Sequence, residues 1–189
     1  MNKNQFPQLR FILVNFLGLL LCAVYVNGSA NEIEYKKQGV RIDWEAGENL
    51  NTFNRRPHTL VLTAYQLSDP NVFNQLLEDP EGISKLLEGD SFDSSVLSRR
   101  KVVVKPNEQQ KLYLDRAAGA QYIGLVTGYF TQDVRAMSRL VPVTLRERNR
   151  FFWRKKDKDP ADTIVQLTLG SSKINELKIV GVDEIEDGR

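Results

Sequence analysis

Three things are scarce in this chain, and each scarcity removes a class of chemistry. There is one cysteine, Cys22, and it sits inside an apolar N-terminal run, so the remainder holds no disulfide and no thiolate zinc site. There is one histidine, His58, so a histidine-based triad or a multi-histidine metal centre has nothing to be built from. There is also no surplus of charge beyond the N-terminus. Residues 1–30 contain Lys3 and Arg10 and no acid, which leaves 24 basic residues balanced by 24 acidic ones over the rest. Proteins that hold nucleic acid through its backbone need excess Lys and Arg to displace counterions, so that partner is not expected. No Gly-x-Ser-x-Gly elbow, phosphate-cradling loop or dinucleotide fingerprint appears. The chain reads as a protein that is not an enzyme and needs no cofactor.

What is present begins with an export signal. Lys3 and Arg10 form a weakly positive start, and Phe11 to Val26 (FILVNFLGLLLCAVYV) is apolar but for Asn15. Gly28-Ser29-Ala30 supplies the small residues a signal peptidase accepts. The expected organisation is therefore a signal peptide or lipoprotein signal over 1–30 and one periplasmic domain over 31–189. Leu19-Leu20-Leu21-Cys22 is close to a lipobox, although Leu21 is larger than the residue that normally precedes an acylated cysteine. Two readings of Cys22 stay open: a lipid anchor, or a residue of a discarded hydrophobic segment.

The rest alternates in the manner of strands. Asn31 to Lys37 is polar and reads as a tether. Gly39 to Glu45 has the period of a half-buried strand and is expected at a sheet edge. Thr59 to Leu67 (TLVLTAYQL) is β-branched and aromatic. Ser68 or Asp69 can cap a short helix carrying Val72, Phe73, Leu76 and Leu77 on one face, and Ile83, Leu86 and Leu87 form a second helical piece between Pro80 and Gly89. Helices this short must lie on a sheet to persist. Strand patterns resume from Val96, break at the Pro106-Asn107 turn, and recur over Lys111–Asp115, Gln121–Phe130, Leu140–Leu145, Thr163–Leu169 and Leu177–Val180. Pro142 assigns its strand to an edge or a bulge. Seven or eight short strands with turns between them predict an all-β, two-sheet β-sandwich with a short helical insertion.

Several constellations can be read in two ways. Asp43 and Glu45 share a strand face and can be a carboxylate pair for glycoside hydrolysis, or the wet face of a strand. Glu88, Asp90 and Asp93 lack the spacing of a calcium loop and read as a solvated turn. Two basic stretches, Ser98 to Lys101 and Arg146 to Lys158, carry enough charge for lipid headgroups or an acidic protein surface. In the second, Phe151, Phe152 and Trp153 either cover the end of a core as part of a hairpin or stand free. The segment Asn49–His58 is a long loop in which Leu50 and Phe53 adjoin Arg55 and Arg56. Aromatic and arginine side chains concentrate at interfaces because they bury large areas and donate several hydrogen bonds. Leu50 and Phe53 either contact a partner or tuck back onto the sandwich.

The order of these features resembles the TssJ family, the outer-membrane lipoproteins of the type VI secretion system. The resemblance runs from Leu50-Asn51 through Pro57 into Leu60 to Asp69, with its Tyr65-Gln66-Leu67 ending, then Phe73. It continues through Val102-Val103-Val104-Lys105-Pro106, Leu112-Tyr113-Leu114-Asp115, and Tyr122 to Val126 leading to Tyr129-Phe130. The departures are Leu21 before Cys22, Pro106-Asn107 where Pro-Gly is usual, Thr131 in place of an arginine, and a longer, more basic Arg146–Lys158. The resemblance implies a transthyretin-like sandwich at the inner face of the outer membrane. It implies a partner, the periplasmic domain of TssM, with TssL in the same complex, and a possible outer-membrane lipid anchor. The partner-binding residues implied are Leu50, Asn51, Phe53, Asn54, Arg55 and Arg56, on the loop after the first strand. The alternative is a periplasmic module of the same shape that binds a peptide, glycan or protease outside any secretion system.

Overall fold

A computed structural model describes residues 33–131, 133–148 and 157–180. The segment read as an export signal (with Cys22), the aromatic run Phe151–Trp153 and the acidic tail from Asp183 lie outside the described residues. Ten strands and three short helices are present among those described: β1 (Lys36–Ala46), β2 (Leu60–Leu67), α1 (Asn71–Leu76), α2 (Pro80–Glu88), β3 (Val96–Val104), β4 (Gln109–Arg116), β5 (Tyr122–Thr127), α3 (Val134–Met137), β6 (Ser138–Pro142), β7 (Leu145–Arg148), β8 (Asp157–Pro160), β9 (Thr163–Leu169) and β10 (Ile174–Val180). Two four-stranded sheets, β10-β9-β1-β4 and β3-β2-β5-β6, make the sandwich, and β7 and β8 pair as a separate antiparallel hairpin. The basic stretch Arg146 to Lys158 thus begins and ends in paired backbone.

Alternation decides the first sheet. Val40, Ile42, Trp44 and Ala46 of β1 face the core and are buried, while Glu45 is exposed and Arg41 and Asp43 are half-buried. Leu112 and Leu114 of β4, and Val165, Leu167 and Leu169 of β9, fill the same core. The expectation that β1 is an edge strand is corrected. It runs between β4, antiparallel, and β9, parallel. A parallel neighbour about 120 residues away leaves no local trace in the sequence, whereas Pro142 does. Its strand, β6, is the edge of the second sheet, because proline cannot donate to a further neighbour.

The second sheet is covered on both faces, which is why β2 reads as a nearly continuous apolar run: seven of its eight residues are buried. One face meets the first sheet and the other meets α1 and α2. Asp79 caps α2, its carboxylate accepting from the Gly82 amide at 2.7 Å. Pro80 takes the first helical position, and Gly89 ends the helix with a left-handed φ of 79°. Phe73 is fully buried against β5. A Cβ on Gly124 would come within 2.8 Å of its ring, so only glycine admits this approach.

The Tyr65-Gln66-Leu67 sequence has a separate task at each residue. Tyr65 donates its hydroxyl to the Leu86 carbonyl at 2.7 Å, fastening the helical layer. Gln66 donates to the Asp115 carbonyl at 2.7 Å and accepts from the Ala117 amide at 2.8 Å, tying the second sheet to the first. Leu67 is core. Asn107 takes a left-handed φ of 59° in the β3–β4 turn, the conformation that lets Asn replace Gly there.

The tether expected over Asn31–Lys37 is docked from Ile33 onward. Ile33 packs on the core, and its carbonyl accepts from the Gly119 amide at 2.6 Å. Tyr35 donates to Asp115 at 2.7 Å, and the buried Arg116 donates to the Glu34 and Ala161 carbonyls. Backbone carbonyls of Ile33 and Glu34 share this work with side-chain bonds to Asp115 and Asp162, partners roughly eighty residues or more away that leave no local pattern.

Candidate functional site: an aromatic tip

β1 ends, β2 begins, β5 ends and β9 turns into β10 at the same end of the sandwich. The loop after β1 is fixed there by backbone bonds. Gly47 and Asn51 donate to the Leu169 and Gly170 carbonyls, Thr52 donates to Ser171 at 2.8 Å, and His58 donates to Leu50 at 3.0 Å. Leu50 is fully buried, a core residue and not an accessible contact, so this residue of the predicted loop site is relocated. Asn51 is 3% exposed and bridges two segments. Its amide nitrogen donates to the Thr59 carbonyl at 2.9 Å, and its oxygen accepts from the Phe130 amide at 2.9 Å.

Beyond Asn51 the loop turns outward. Phe53 and Arg56 exchange both backbone hydrogen bonds, at 2.9 and 3.0 Å, across the two residues Asn54 and Arg55. Both have positive φ, 49° and 60°, the pattern of a type I′ turn. Asn tolerates that region; an arginine there costs roughly 1 kcal/mol relative to glycine. A strained arginine held at a surface tip is the kind of feature that a binding site sustains and a stability requirement does not.

The turn presents the Phe53 ring, 48% exposed, against Phe130, 51% exposed. The two are stacked, with centroids 4.6 Å apart and planes 23° from parallel. His58 stands edge-on to Phe130 at 5.2 Å and to Phe53 at 6.4 Å, and its Nδ1 lies 2.9 Å from the Arg56 carbonyl oxygen. Beneath them Tyr129 is buried and donates to the Lys173 carbonyl at 2.8 Å, burial holding its phenol well above the ordinary range. Of the predicted residues, Phe53, Asn54, Arg55 and Arg56 are exposed together at this tip, while Leu50 and Asn51 support it from within. Phe130 was not among them. A signal for it exists: two consecutive aromatics at a strand end cannot both face the core, and Thr131 follows.

Such a tip can bury aromatic area and donate guanidinium hydrogen bonds. The carboxylates elsewhere are differently placed. Asp43 and Glu45 lie on the outer face of the first sheet, beside an open depression of about 780 Å³ whose lining includes Lys111, Gln166, Thr168 and Lys178. Arg41 approaches Asp43 at 3.1 Å, and Lys111 is its cross-strand neighbour. Asp93 accepts from the amide and hydroxyl of Ser95, which makes it a turn cap. Arg99, Arg100 and Lys101 lie on the edge strand β3, where Lys101 donates to the last carbonyl of α2 at 3.2 Å.

Residues 38–171, well over half of the chain, match the family described as type VI secretion lipoprotein, VasD, EvfM, TssJ. No individual curated protein sequence matches. Among solved structures the chain is similar to the T6SS lipoprotein TssJ1 from Pseudomonas aeruginosa. That likeness has 17% identity and a TM-score of 0.52, covering 79% of this chain and 98% of that one. It is similar to Serratia marcescens Lip, a membrane-bound component of the type VI secretion system, with 17% identity, a TM-score of 0.51, and coverage of 76% and 97%. A chain in the structure of the T6SS protein TssM C-terminal domain from EAEC also has this fold, with 16% identity, a TM-score of 0.51, and coverage of 79% and 100%.

Proposed function

Because the chain belongs to the TssJ family of type VI secretion lipoproteins, we propose that it is a non-catalytic docking component of that system's trans-envelope complex, holding the periplasmic region of TssM through the loop Asn49–His58. One observation carries the reading. Within a single loop Leu50 is buried without residue while Phe53 stands half exposed on a rigid, hydrogen-bonded turn. A loop whose apolar residues served only the core would have hidden both. Phe53 is the anchor a partner covers, and Arg55 and Arg56 pair with acids at the rim, where aromatics and arginines concentrate binding energy.

The rest of the reading follows the chain. Residues 1–30 direct export, and the domain works in the periplasm at the inner face of the outer membrane, with Cys22 as the residue an acyl chain would modify. The described chain enters the sandwich at Ile33 at one end and offers its loop at the other, with β1, shortened by its bulge between Lys36 and Val40, spanning roughly 25 Å between them. An attachment through the N-terminus thereby leaves the tip free for TssM, and TssL joins through the same complex.

The test is calorimetric titration of the TssM periplasmic region into the detergent-solubilised full-length protein. A variant with Ala at Phe53, Arg55 and Arg56 is run in parallel. Binding by the wild type that disappears in the folded variant supports the reading. Binding that survives moves the interface elsewhere. No binding by either protein brings forward a module for a peptide, glycan or protease.

A further inference from the structure

We propose that the docking surface is a two-loop platform. Phe130, from the β5–α3 loop, is a contact residue equal to Phe53, and Asn51 is the positioning residue that locks the two loops together. The proposal rests on the docking reading above and adds to it a second loop, a hidden residue and the chemistry of the complementary patch.

The stack is the first argument. Phe53 and Phe130 lie 4.6 Å apart and nearly parallel, and each keeps about half of its surface in water. A partner that covers one ring edge in such a stack necessarily meets the other, so the energetic unit is the pair. Offset-stacked rings also hold each other's orientation, which lowers the ordering entropy a partner must overcome. His58, edge-on to both, borders the same apolar patch.

The second argument is Asn51. It is 3% exposed, too deep to touch a partner, yet its side chain joins the loop after β1 to the loop after β5. The oxygen accepts from the amide of Phe130 itself, and the nitrogen closes the base of its own loop on Thr59. Its backbone is left-handed, with φ 46°, a conformation Asn adopts at low cost. The residue therefore sets the distance between the two rings without being part of the surface they form. The matching patch on the partner is an aliphatic or aromatic side chain laid across both rings, with carboxylates beside it for Arg55 and Arg56.

The experiment extends the calorimetric titration, in the full-length protein, to Phe53→Ala, Phe130→Ala, the double variant and Asn51→Gly, each checked by thermal melting. Glycine keeps the left-handed backbone and deletes only the amide staple. Phe130→Ala is expected to weaken binding about thirty-fold or more, as Phe53→Ala does. The double variant should fall well short of the product of the two losses, because either single change already dismantles the stack. Asn51→Gly should stay folded with a melting temperature a few degrees below the wild type, lose about ten-fold in affinity, and shift the Phe130 amide resonance. Wild-type binding by Phe130→Ala beside a weakened Phe53→Ala overturns the platform and leaves single-loop docking intact. Wild-type binding by both single variants overturns the platform and moves the TssM contact away from this tip, and no binding by the wild type removes the docking reading itself. An Asn51→Gly protein that binds normally ends the positioning role.

Discussion

The rings of Tyr65, Phe73 and Phe92 lie against one another under the helical layer, with centroids 5.3 to 6.5 Å apart. Those of Phe53, Phe130 and His58 are as close to each other, but at the tip and in water. Ring spacings are alike, though only the tip holds a stacked pair; what differs most is the cover. Two helices, the second of them capped by Asp79 and Gly89, close over the first cluster, and the polar end of Tyr65 has a carbonyl to donate to. Over the second, the chain builds a strained turn that holds the rings outward. An aromatic cluster is therefore a fold device or a binding device according to what the surrounding backbone does, and substitutions should separate the two roles.

The largest effect is expected at Phe73→Ala, which empties a fully buried site and should cost about 3–5 kcal/mol of stability while leaving TssM affinity unchanged in whatever fraction stays folded. Denaturant melts beside the binding titration would read both. Phe53→Ala should do the reverse, taking about 2 kcal/mol or more from binding and within about 0.5 kcal/mol of nothing from stability. A large loss of stability there would mean that the tip is packing after all.

Smaller again is Arg55→Gly. Removing the side chain from a left-handed position should raise stability by up to about 1 kcal/mol, seen as a higher Tm, while affinity falls. Equal affinity would show that the guanidinium does not meet the partner and that the strain serves something else. The mildest contrast is in pH. Burial pushes the Tyr65 phenol up to about 12, so its neutral form is favoured in the fold. The stability this represents is fully present below pH 10 and is lost as pH rises toward 12. Alkaline unfolding followed by tyrosine absorbance should show that slope, and Tyr65→Phe should reduce it, leaving the part that the buried Tyr129 contributes.

Much of the fold was legible because it rests on local rules. Alternation marked Leu112 and Leu114 as the core side of β4, and Pro80 and Gly89 bounded α2, whereas the N-cap position of α1 is held by Pro70 and not by Ser68 or Asp69. Pro142 marked an edge strand, and Asn107 took the turn conformation expected of it. The misses share a cause in the opposite sense. The parallel pairing of β1 with β9, the docking of Ile33 to Lys36, and the meeting of the β1–β2 and β5–α3 loops all join residues far apart in sequence. They join them largely through backbone groups that every residue carries. In the candidate site, the chemistry of Phe53, Arg55 and Arg56 was readable. The burial of Leu50 and the recruitment of Phe130 were not, since both depend on which loop comes to lie beside which.

What the sequence by itself determined is the kind of fold. Period-two strands with short amphipathic helices specify a sandwich. Only the tertiary structure decided which apolar residues of the loop are core and which are surface. Burial is a property of neighbours, and the ring stacked on Phe53 is that of Phe130, more than seventy residues along the chain.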